Sequence, residues 1–570
     1  MGGYFQMLEE LFLHAGGRTG CARLCIVLLF LSCMCIFGVA DEMGDEIVYT
    51  ELAPLNPDFI WMVHDLAISP YQLGIMPSPI YQNHQKLLPN EFGLELYHID
   101  VQDDSERLPA SFNLRQYGRV PYIIGDQGSC DAGWAFASLG SLLSSIFSSV
   151  YSGIIEPFSQ NHLKNTNGFD LGPCGGGNAD ITTAYLARGS GPVLASKDPY
   201  SPDDLESPNG LEVTAHLKRT LVIPMADDPG HPSIIELIKR IIMNEGAVYG
   251  AYYADEQFYQ NTSTIITYYN PHPIQRNETG AFLNTTGTYQ GVLIVGWDDS
   301  IKRTDFAVKP PSNGAFLVQN SYGNQWGTDG YFYLSYYDAA FNQMNPVSFT
   351  ASGVDDYDNI YQYDPLGYTQ SYGEAESYAF ANIFHAQRDE IISAVGFYCT
   401  NPNAHYTIEI YASSDYLDLE TATPVSVQTG YEGLSGYYTI ALVDPVSIKK
   451  YDFFAAVIRM TTPGRWYPVA VEVPIEGYSS GATAVQGQSY VSKDGVIWED
   501  FAILHPHGNV CLKVFTTSYA RGQNMASQNE MGGYYPWLSD PNENERYEDI
   551  DGNYQFEYYD NQLLSDLIWQ

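Results

Sequence analysis

The stretch from Gly125 to Ala137, which reads GDQGSCDAGWAFA, constrains the fold of this 570-residue chain more than any other segment. A loop of small and polar residues leads directly into a run with helical periodicity. Its apolar positions recur three or four residues apart: Ala135, Leu139, Leu142, Leu143, Ile146 and Val150. Such a stripe predicts an amphipathic helix with one buried face, starting close to Gly133.

The same stretch resembles the active-site segment of papain-like cysteine peptidases. Their pattern is Gln-Gly-Ser-Cys-x-x-Cys-Trp-Ala-Phe, and the second cysteine is the nucleophile, activated at a helix N-terminus. The nucleophile's position here is Gly133, which has no side chain, so covalent attack cannot start there. The resemblance places Gln127 at the position that holds the oxyanion. The residues in register are Gln127, Gly128, Ser129, Cys130, Trp134, Ala135 and Phe136.

Two later segments extend the resemblance. Asn320–Gly330, NSYGNQWGTDG, is similar to the family's Asn-Ser-Trp-Gly-x-x-Trp-Gly-x-x-Gly, in which the Asn orients the catalytic histidine. The strand that begins with that histidine aligns with Gln290–Trp297, QGVLIVGW, so Gln290 stands at the base position. An amide does not accept a proton near neutral pH. Nucleophile and base are therefore both substituted, whereas the oxyanion and His-orienting positions are retained.

The segment Cys174–Gly177, CGGG, resembles the family's Cys-x-Gly-Gly turn. The resemblance implies a disulfide between Cys174 and Cys130. It also makes Gly176 and Gly177 the backbone edge that pairs with an extended peptide, because residues without Cβ atoms allow close approach. The expected partner is a peptide or an unfolded protein segment. The alternative is that these residues persist because the fold needs the turn and the disulfide.

Charge limits the other classes of partner. The chain has 26 Lys and Arg against 67 Asp and Glu, a net charge of -41, and such a chain repels nucleic acid and anionic lipid. With 45% hydrophobic and 16% charged residues it has the composition of a folded protein. No motif indicates a cofactor or a metal site, since Pro506 between His505 and His507 favours a turn.

The N-terminal residues predict export. Residues 1–40 contain Arg18 and Arg23 followed by the apolar run Leu24–Ala40, typical of a secretory signal peptide. An uncleaved signal anchor, the only expected contact with a membrane, is the alternative. Residues 41–107 are interpreted as a leader or propeptide, and an exported chain would be extracellular or at the cell surface. Sequons that fit an exported glycoprotein begin at Asn261, Asn277 and Asn284.

Residues 108–340 are predicted to form the papain-like domain. Residues 358–517 have a different sequence pattern. Short alternating strands broken by Gly, Pro and Asn predict an antiparallel β-sandwich, with Tyr406, Ile408 and Ile410 on one face. The chain resembles secreted papain-like peptidases with a C-terminal lectin-like domain. The expected fold is thus an α+β papain-like fold, with a helical lobe and a β-barrel-like lobe, followed by an all-β antiparallel sandwich.

Within the sandwich, Cys399 and Cys511 each lie in an apolar strand and are expected to bridge its first and last strands. Sugar sites use exposed aromatic faces, but packing in the core or in cross-strand pairs is the favoured interpretation of the aromatic residues here. The aromatic candidates for binding a glycan or cell-surface polymer are Tyr437, Tyr438, Trp466 and Tyr467. Residues 518–570 form an acidic tail that is expected to be poorly ordered.

Three hypotheses for function follow. The first is a secreted or cell-surface papain-like homologue that is catalytically inactive and binds peptide, glycan or both. The second is an active cysteine-type peptidase that uses residues other than Gly133 and Gln290. The third is a structural surface protein whose cleft is vestigial.

Overall fold

The structure, a computed structural model, describes residues 51–66, 74–80, 107–120, 124–147, 156–226, 228–273 and 287–519. The predicted signal, most of the predicted leader and the tail from residue 520 lie outside these ranges. So do the sequons at Asn277 and Asn284, and Val150 of the helical stripe. Within the described ranges, no helix is both long enough and apolar enough to span a membrane.

The helices of the described part follow the apolar patterns of the sequence. The longest begins at Gly133, as predicted, and its Ala135, Leu139, Leu142 and Leu143 are almost completely buried. The helices are α1 Pro57–Leu66, α2 Gly133–Phe147, α3 Gln160–Thr166, α4 Ala179–Ala187, α5 Pro232–Asn244 and α6 Phe501–Leu504.

The first nine strands form the β lobe beside α2. Their bounds are β1 Ser111–Asn113, β2 Ala215–Val222, β3 Val248–Ala254, β4 Tyr259–Asn261, β5 Ile266–Tyr268, β6 Thr288–Asp298, β7 Ala315–Gln319, β8 Tyr331–Ser335 and β9 Val347–Gly353. β6 lies between β3 and β7, antiparallel to both, and nine of its eleven residues are buried. Because α2 packs across β3, β6 and β9, β6 faces the start of that helix.

The remaining strands form the sandwich. Their bounds are β10 Asn359–Tyr361, β11 Gln370–Tyr372, β12 Ser377–His385, β13 Glu390–Cys399, β14 Ala404–Ser413, β15 Ser426–Glu432, β16 Gly436–Ile448, β17 Phe453–Thr461, β18 Val469–Glu472, β19 Ser489–Ser492, β20 Glu499–Asp500, β21 Asn509–Val510 and β22 Leu512–Ser518. One sheet has the order β15-β14-β17-β12-β19-β20, and a second contains β10-β22-β13-β16. Tyr406, Ile408 and Ile410 of β14 are buried, which confirms the predicted alternation.

One sheet continues from the β lobe into the sandwich. β2 pairs with β9 along its length, and Arg219 of β2 also pairs with Tyr438 of β16. The result is a 13-stranded sheet that includes strands of both modules. β2 is the strand that connects the two modules, because it pairs with β16 on one side and with β9 on the other. β9 falls in the interval 341–357, which lies between the two predicted domains. The two modules are therefore joined by backbone hydrogen bonds and by a continuous apolar core.

Candidate functional site

Two loops and one strand bring the predicted site residues together at the N-terminus of α2. Gln127 lies in the loop before α2, where its N–H donates to Ser321 O over 2.8 Å and its carbonyl accepts from the Tyr200 hydroxyl. Gln290 projects from β6. Asn320 follows β7, and its N–H donates to Gly330 O over 3.0 Å. All three side chains are at most 5% exposed, so their amides must find partners within the protein.

The amides bond mainly to each other and to Ser321, although the buried Asn320 Nδ2 has no hydrogen-bond partner among the described residues. Gln290 Nε2 lies 2.8 Å from Gln127 Oε1, 3.1 Å from Asn320 Oδ1 and 3.0 Å from Ser321 Oγ. The Ser321 hydroxyl donates to Gln127 Oε1 over 2.6 Å, and the Ser321 N–H donates to Asn320 Oδ1 over 2.9 Å. Residues far apart in the sequence thus form one buried network of amides and a hydroxyl.

Gly133 leaves the space that this network occupies. A Cβ at position 133 would lie 2.5 Å from Gln290 Nε2 and 2.8 Å from Gln127 Oε1, closer than nonbonded atoms approach. Gly291 has a related role, because a Cβ there would lie 2.8 Å from Trp134 N and hold β6 away from α2. The amide of Gln290 therefore lies where a side chain at the start of α2 would project.

The electrostatics around the helix start do not favour an anion. Burial raises the pKa of Asp131, and burial followed by the charge of Asp131 raises the pKa of Tyr322 to about 12. Burial therefore disfavours the ionised form of both groups relative to water. A carboxylate two residues before Gly133 would also repel a thiolate introduced there.

The predicted peptide edge is occupied by residues of the chain's own predicted leader segment, called the leader below. Ile75 forms a parallel bridge with Gly177, and the Met76 N–H donates to Gly177 O over 3.0 Å. Met76 O in turn accepts from Asn178 Nδ2 over 3.2 Å. Gly176, the other predicted edge residue, is buried and has a φ of 83°. Ile75 and Met76 therefore lie along the edge that the sequence indicated.

The leader also contacts the sandwich. The Ala53 N–H donates to Ser371 O over 2.8 Å, so residues before α1 add to the edge of β11. Phe59 of α1 packs edge-on against Tyr478 at 5.5 Å between ring centroids, and the Tyr478 hydroxyl donates to Asn178 Oδ1 over 3.3 Å. Asn178 thus links the leader, the N-terminus of α4 and the sandwich.

The cysteines divide into a bonded pair and two free thiols. Cys130 and Cys174 form a disulfide that ties the loop before α2 to the glycine turn. The predicted bridge between Cys399 and Cys511 is wrong, since both are free and buried. Cys399 is the last residue of β13, whereas Cys511 lies between β21 and β22, where its N–H donates to Ala470 O over 2.9 Å. Burial raises the pKa of both thiols well above the ordinary value.

The residues predicted to carry or contact glycans differ in how far they are exposed to solvent. Asn261, at the end of β4, is exposed. Tyr437 and Tyr438 are 0% and 2% exposed, which confirms for these two candidates the interpretation as packing residues. Trp466 is 56% exposed, and Tyr467 beside it is partly exposed. In the described ranges, no group of three or more His, Cys, Asp and Glu is placed to hold a metal ion.

Ser321 and the leader contacts are the parts of the site that the sequence did not indicate. Ser321 directly follows Asn320 in the NSYG motif, and that adjacency was the available signal. Ile75 and Met76 lie in a segment without periodicity. Their pairing with Gly177 depends on the folded position of the edge.

Comparison with known proteins identifies both modules. Residues 108–349 match the papain family cysteine protease domain, and residues 360–516 match the lectin like domain. The chain is therefore built from a papain-family cysteine protease domain followed by a C-terminal lectin-like domain. By family it is a homologue of cysteine-type peptidases.

Individual relatives agree with this assignment. The cathepsin L-like peptidase of Aedes aegypti is 27% identical over 233 residues, 40% of this chain and 60% of that protein. Mouse procathepsin L is 25% identical over 232 residues, 40% of this chain and 61% of that protein. The chain thus spans about 60% of the length of these curated relatives.

A solved structure matches across both modules. It contains the cysteine protease and lectin-like domains of Cwp84, a surface layer associated protein of Clostridium difficile. The TM-score is 0.64 at 21% identity, over 82% of this chain and 98% of that one. This likeness shows that the two-module fold is shared.

Proposed function

We propose that this protein is a papain-family homologue, exported to the cell surface or beyond, that binds extended peptide in its cleft without hydrolysing it. One observation carries the proposal: an extended segment, Ile75–Met76, pairs with the edge at Gly177, close to a site built from amides and a hydroxyl. The cleft can hold peptide, while the groups beside it are Gln290, Gln127 and Ser321.

The chemistry of these groups supports the absence of hydrolysis. Thiol peptidases need a nucleophile within hydrogen-bond reach of a base. Gly133 provides no nucleophile and Gln290 no base. Gln127 Oε1 accepts from Gln290 and Ser321, so an acceptor rather than a donor faces Gly133. An acceptor at that place would repel a developing oxyanion.

The test uses the full chain in which the backbone hydrogen bond between the leader and Gly177 has been removed. Met76→Pro removes the N–H that bonds Gly177 O, whereas Met76→Leu keeps it and is the matched control. A labelled GIMPSPI peptide, the sequence of residues 74–80, should bind Met76→Pro more tightly than Met76→Leu by fluorescence anisotropy. Mass spectrometry should find the peptide intact after prolonged incubation. Circular dichroism checks that both variants fold.

Cleavage of this peptide, or of an unfolded protein, by the purified wild-type chain would overturn the proposal. Failure of Met76→Pro to bind would favour a vestigial cleft in a structural surface protein. A positive control is Gly133→Cys combined with Gln290→His, which restores both reacting groups. It should hydrolyse peptide, and iodoacetamide should block that activity.

Glycan binding by the lectin-like module is a second candidate function, favoured by the exposed indole of Trp466. The loop that carries it is held at the backbone. Thr400 Oγ1 donates to Tyr467 O over 2.9 Å, and Asn401 Nδ2 donates to Trp466 O over 3.2 Å. A fixed backbone with a free aromatic face is the arrangement that sugar rings stack on.

A further inference from the structure

A cavity of about 240 Å³ lies between α2 and β6, next to the buried amide network. Phe136, Gly140 and Leu143 are three or four positions apart, so they share the face of α2 that forms one wall. Asn320 and Ser321 belong both to the cavity wall and to the network, in which Asn320 Oδ1 and the Ser321 hydroxyl already have partners. The described lining residues include none from the glycine turn or the leader, so this cavity is separate from the peptide edge.

The interior of this cavity is apolar. Leu143, Phe158, Val292 and Leu293 line it and are at most 3% exposed. No Asp, Glu, Lys, Arg or His is among the described lining residues. An apolar cavity of about 150 Å³ in another protein stays dry and binds benzene. By that scale, the cavity beside α2 has room for about ten carbon atoms and offers water few partners.

Two amide side chains lie at the partly exposed rim of the cavity. Gln160 and Gln319 both line it and are both partly exposed, and Pro157 beside them is exposed. Gln319 Oε1 accepts from the Tyr331 hydroxyl over 3.1 Å. Among the described residues, Gln319 Nε2 and the side chain of Gln160 have no hydrogen-bond partner. These amides can therefore donate to or accept from a ligand's hydroxyl or carbonyl, but they cannot neutralise a charge.

We propose that this cavity binds a neutral, largely apolar small molecule of about ten carbon atoms with one hydroxyl or carbonyl group, which bonds to Gln160 and Gln319. The ligand is neutral because an unpaired buried charge is costly and the described wall offers no charged partner. The net charge of -41 adds repulsion against anions. This site is independent of the peptide binding proposed above, since it shares no described residue with the edge at Gly177.

The experiment titrates the full-length wild-type chain with three fluorescent probes of one ring size near neutral pH. Naphthalene has no polar group, 2-naphthol adds a neutral hydroxyl, and 2-naphthoate adds a negative charge. 2-Naphthol should bind about fivefold more tightly than naphthalene, the scale of one net hydrogen bond. 2-Naphthoate should bind at least about tenfold more weakly than 2-naphthol, because its charge finds no partner. Saturating 2-naphthol should also raise the melting temperature.

Substitutions assign the binding to this cavity. Ala137→Leu adds a side chain to the lining and should weaken 2-naphthol binding at least about tenfold. Ala502→Leu, which makes the same change on α6 of the sandwich, is the matched control and should leave binding unchanged.

A second variant acts at the rim, where side chains are partly exposed and the fold tolerates change. Gln160→Leu combined with Gln319→Leu should abolish the preference for 2-naphthol over naphthalene while naphthalene still binds. Circular dichroism checks that each variant folds. The proposal is overturned if 2-naphthol does not bind, if 2-naphthoate binds as tightly, if a folded Ala137→Leu chain binds like the wild type, or if the preference survives both glutamine substitutions.

Discussion

Gly133 and Gln290 are complementary in shape. The first lacks a side chain where the second places its amide, and a Cβ at 133 would lie 2.5 Å from Gln290 Nε2. The two hydrogens of the Gln290 amide are shared among acceptors on Gln127, Asn320 and Ser321. Two departures from the family motif, 157 positions apart in numbering (290 minus 133), thus form one packed and hydrogen-bonded arrangement.

This complementarity predicts a thermodynamic coupling between the two residues. Gly133→Ala alone should destabilise the chain by about 1–3 kcal/mol, the usual cost of overpacking a buried site. A Gln290→Ala background removes the closest contact and leaves only Gln127 Oε1, at 2.8 Å from the new Cβ, so the cost of the same substitution should fall by about 1 kcal/mol or more. Differential scanning calorimetry of the wild type, both single variants and the double variant measures the difference.

The control for this cycle is Gly481→Ala, which adds a Cβ where no atom lies within 4 Å. It should change stability by less than about 0.5 kcal/mol. Equal destabilisation by Gly133→Ala in both backgrounds would show that the two positions do not share one space.

Helices and strands were predictable from the sequence where the pattern of apolar residues lies within the element itself. The stripe of Ala135, Leu139 and Leu142 predicts α2, and the alternation in Tyr406–Tyr411 predicts β14. Cysteine pairing was predictable only for Cys130, which the family motif covers. The other pair depends on strand register, and a shift of one residue moves a side chain to the opposite face of a sheet.

The loop between β17 and β18 carries the prediction for glycan binding. Trp466→Ala should lower affinity for any glycan that the wild-type chain retains on a glycan array about tenfold, as expected for loss of one stacking face. Tyr451→Ala is the matched control, because Tyr451 is a 72% exposed aromatic on a different loop. If the Trp466→Ala chain is retained on the glycan array as well as the wild type, this loop is not the glycan-binding site.

Across the whole molecule, the leader joins the two modules. Residues near Ala53 extend the edge of β11 in the lectin-like module, and Met76 bonds the cleft at Gly177. The 13-stranded sheet makes a second connection through β2, β9 and β16. No local pattern in the sequence indicated either connection, since both are pairings between distant segments.

Buried carboxyl groups predict how stability depends on pH. Burial is the main cause that raises the pKa of Asp338 and Glu432 to about 7 and of Glu472 to about 8. Unfolded carboxyls titrate near 4, so the folded chain holds these protons more tightly. The stability they give in acid is lost as pH rises towards 8. The melting temperature should therefore fall between pH 6.5 and pH 9, as calorimetry can measure.

Repulsion within a chain of net charge -41 also lowers the melting temperature as pH rises, because the negative charge increases. Burial lowers the pKa of His162, and that of His505 to about 4, but these groups cost stability only as pH falls below about 6.5. Glu432→Gln should flatten the decline. A melting temperature that rises with pH over this range would contradict the assignment of these groups.

The sequence by itself determined the family resemblance, the substitution of nucleophile and base at Gly133 and Gln290, and the start of α2. These are properties of single positions and short motifs, which local residue chemistry defines. Only the tertiary structure decided that Gln290 fills the space at Gly133, that Met76 occupies the edge at Gly177, and that Cys399 and Cys511 stay apart. Each depends on packing or register between segments far apart in the chain, because these are set when the core and the sheets assemble.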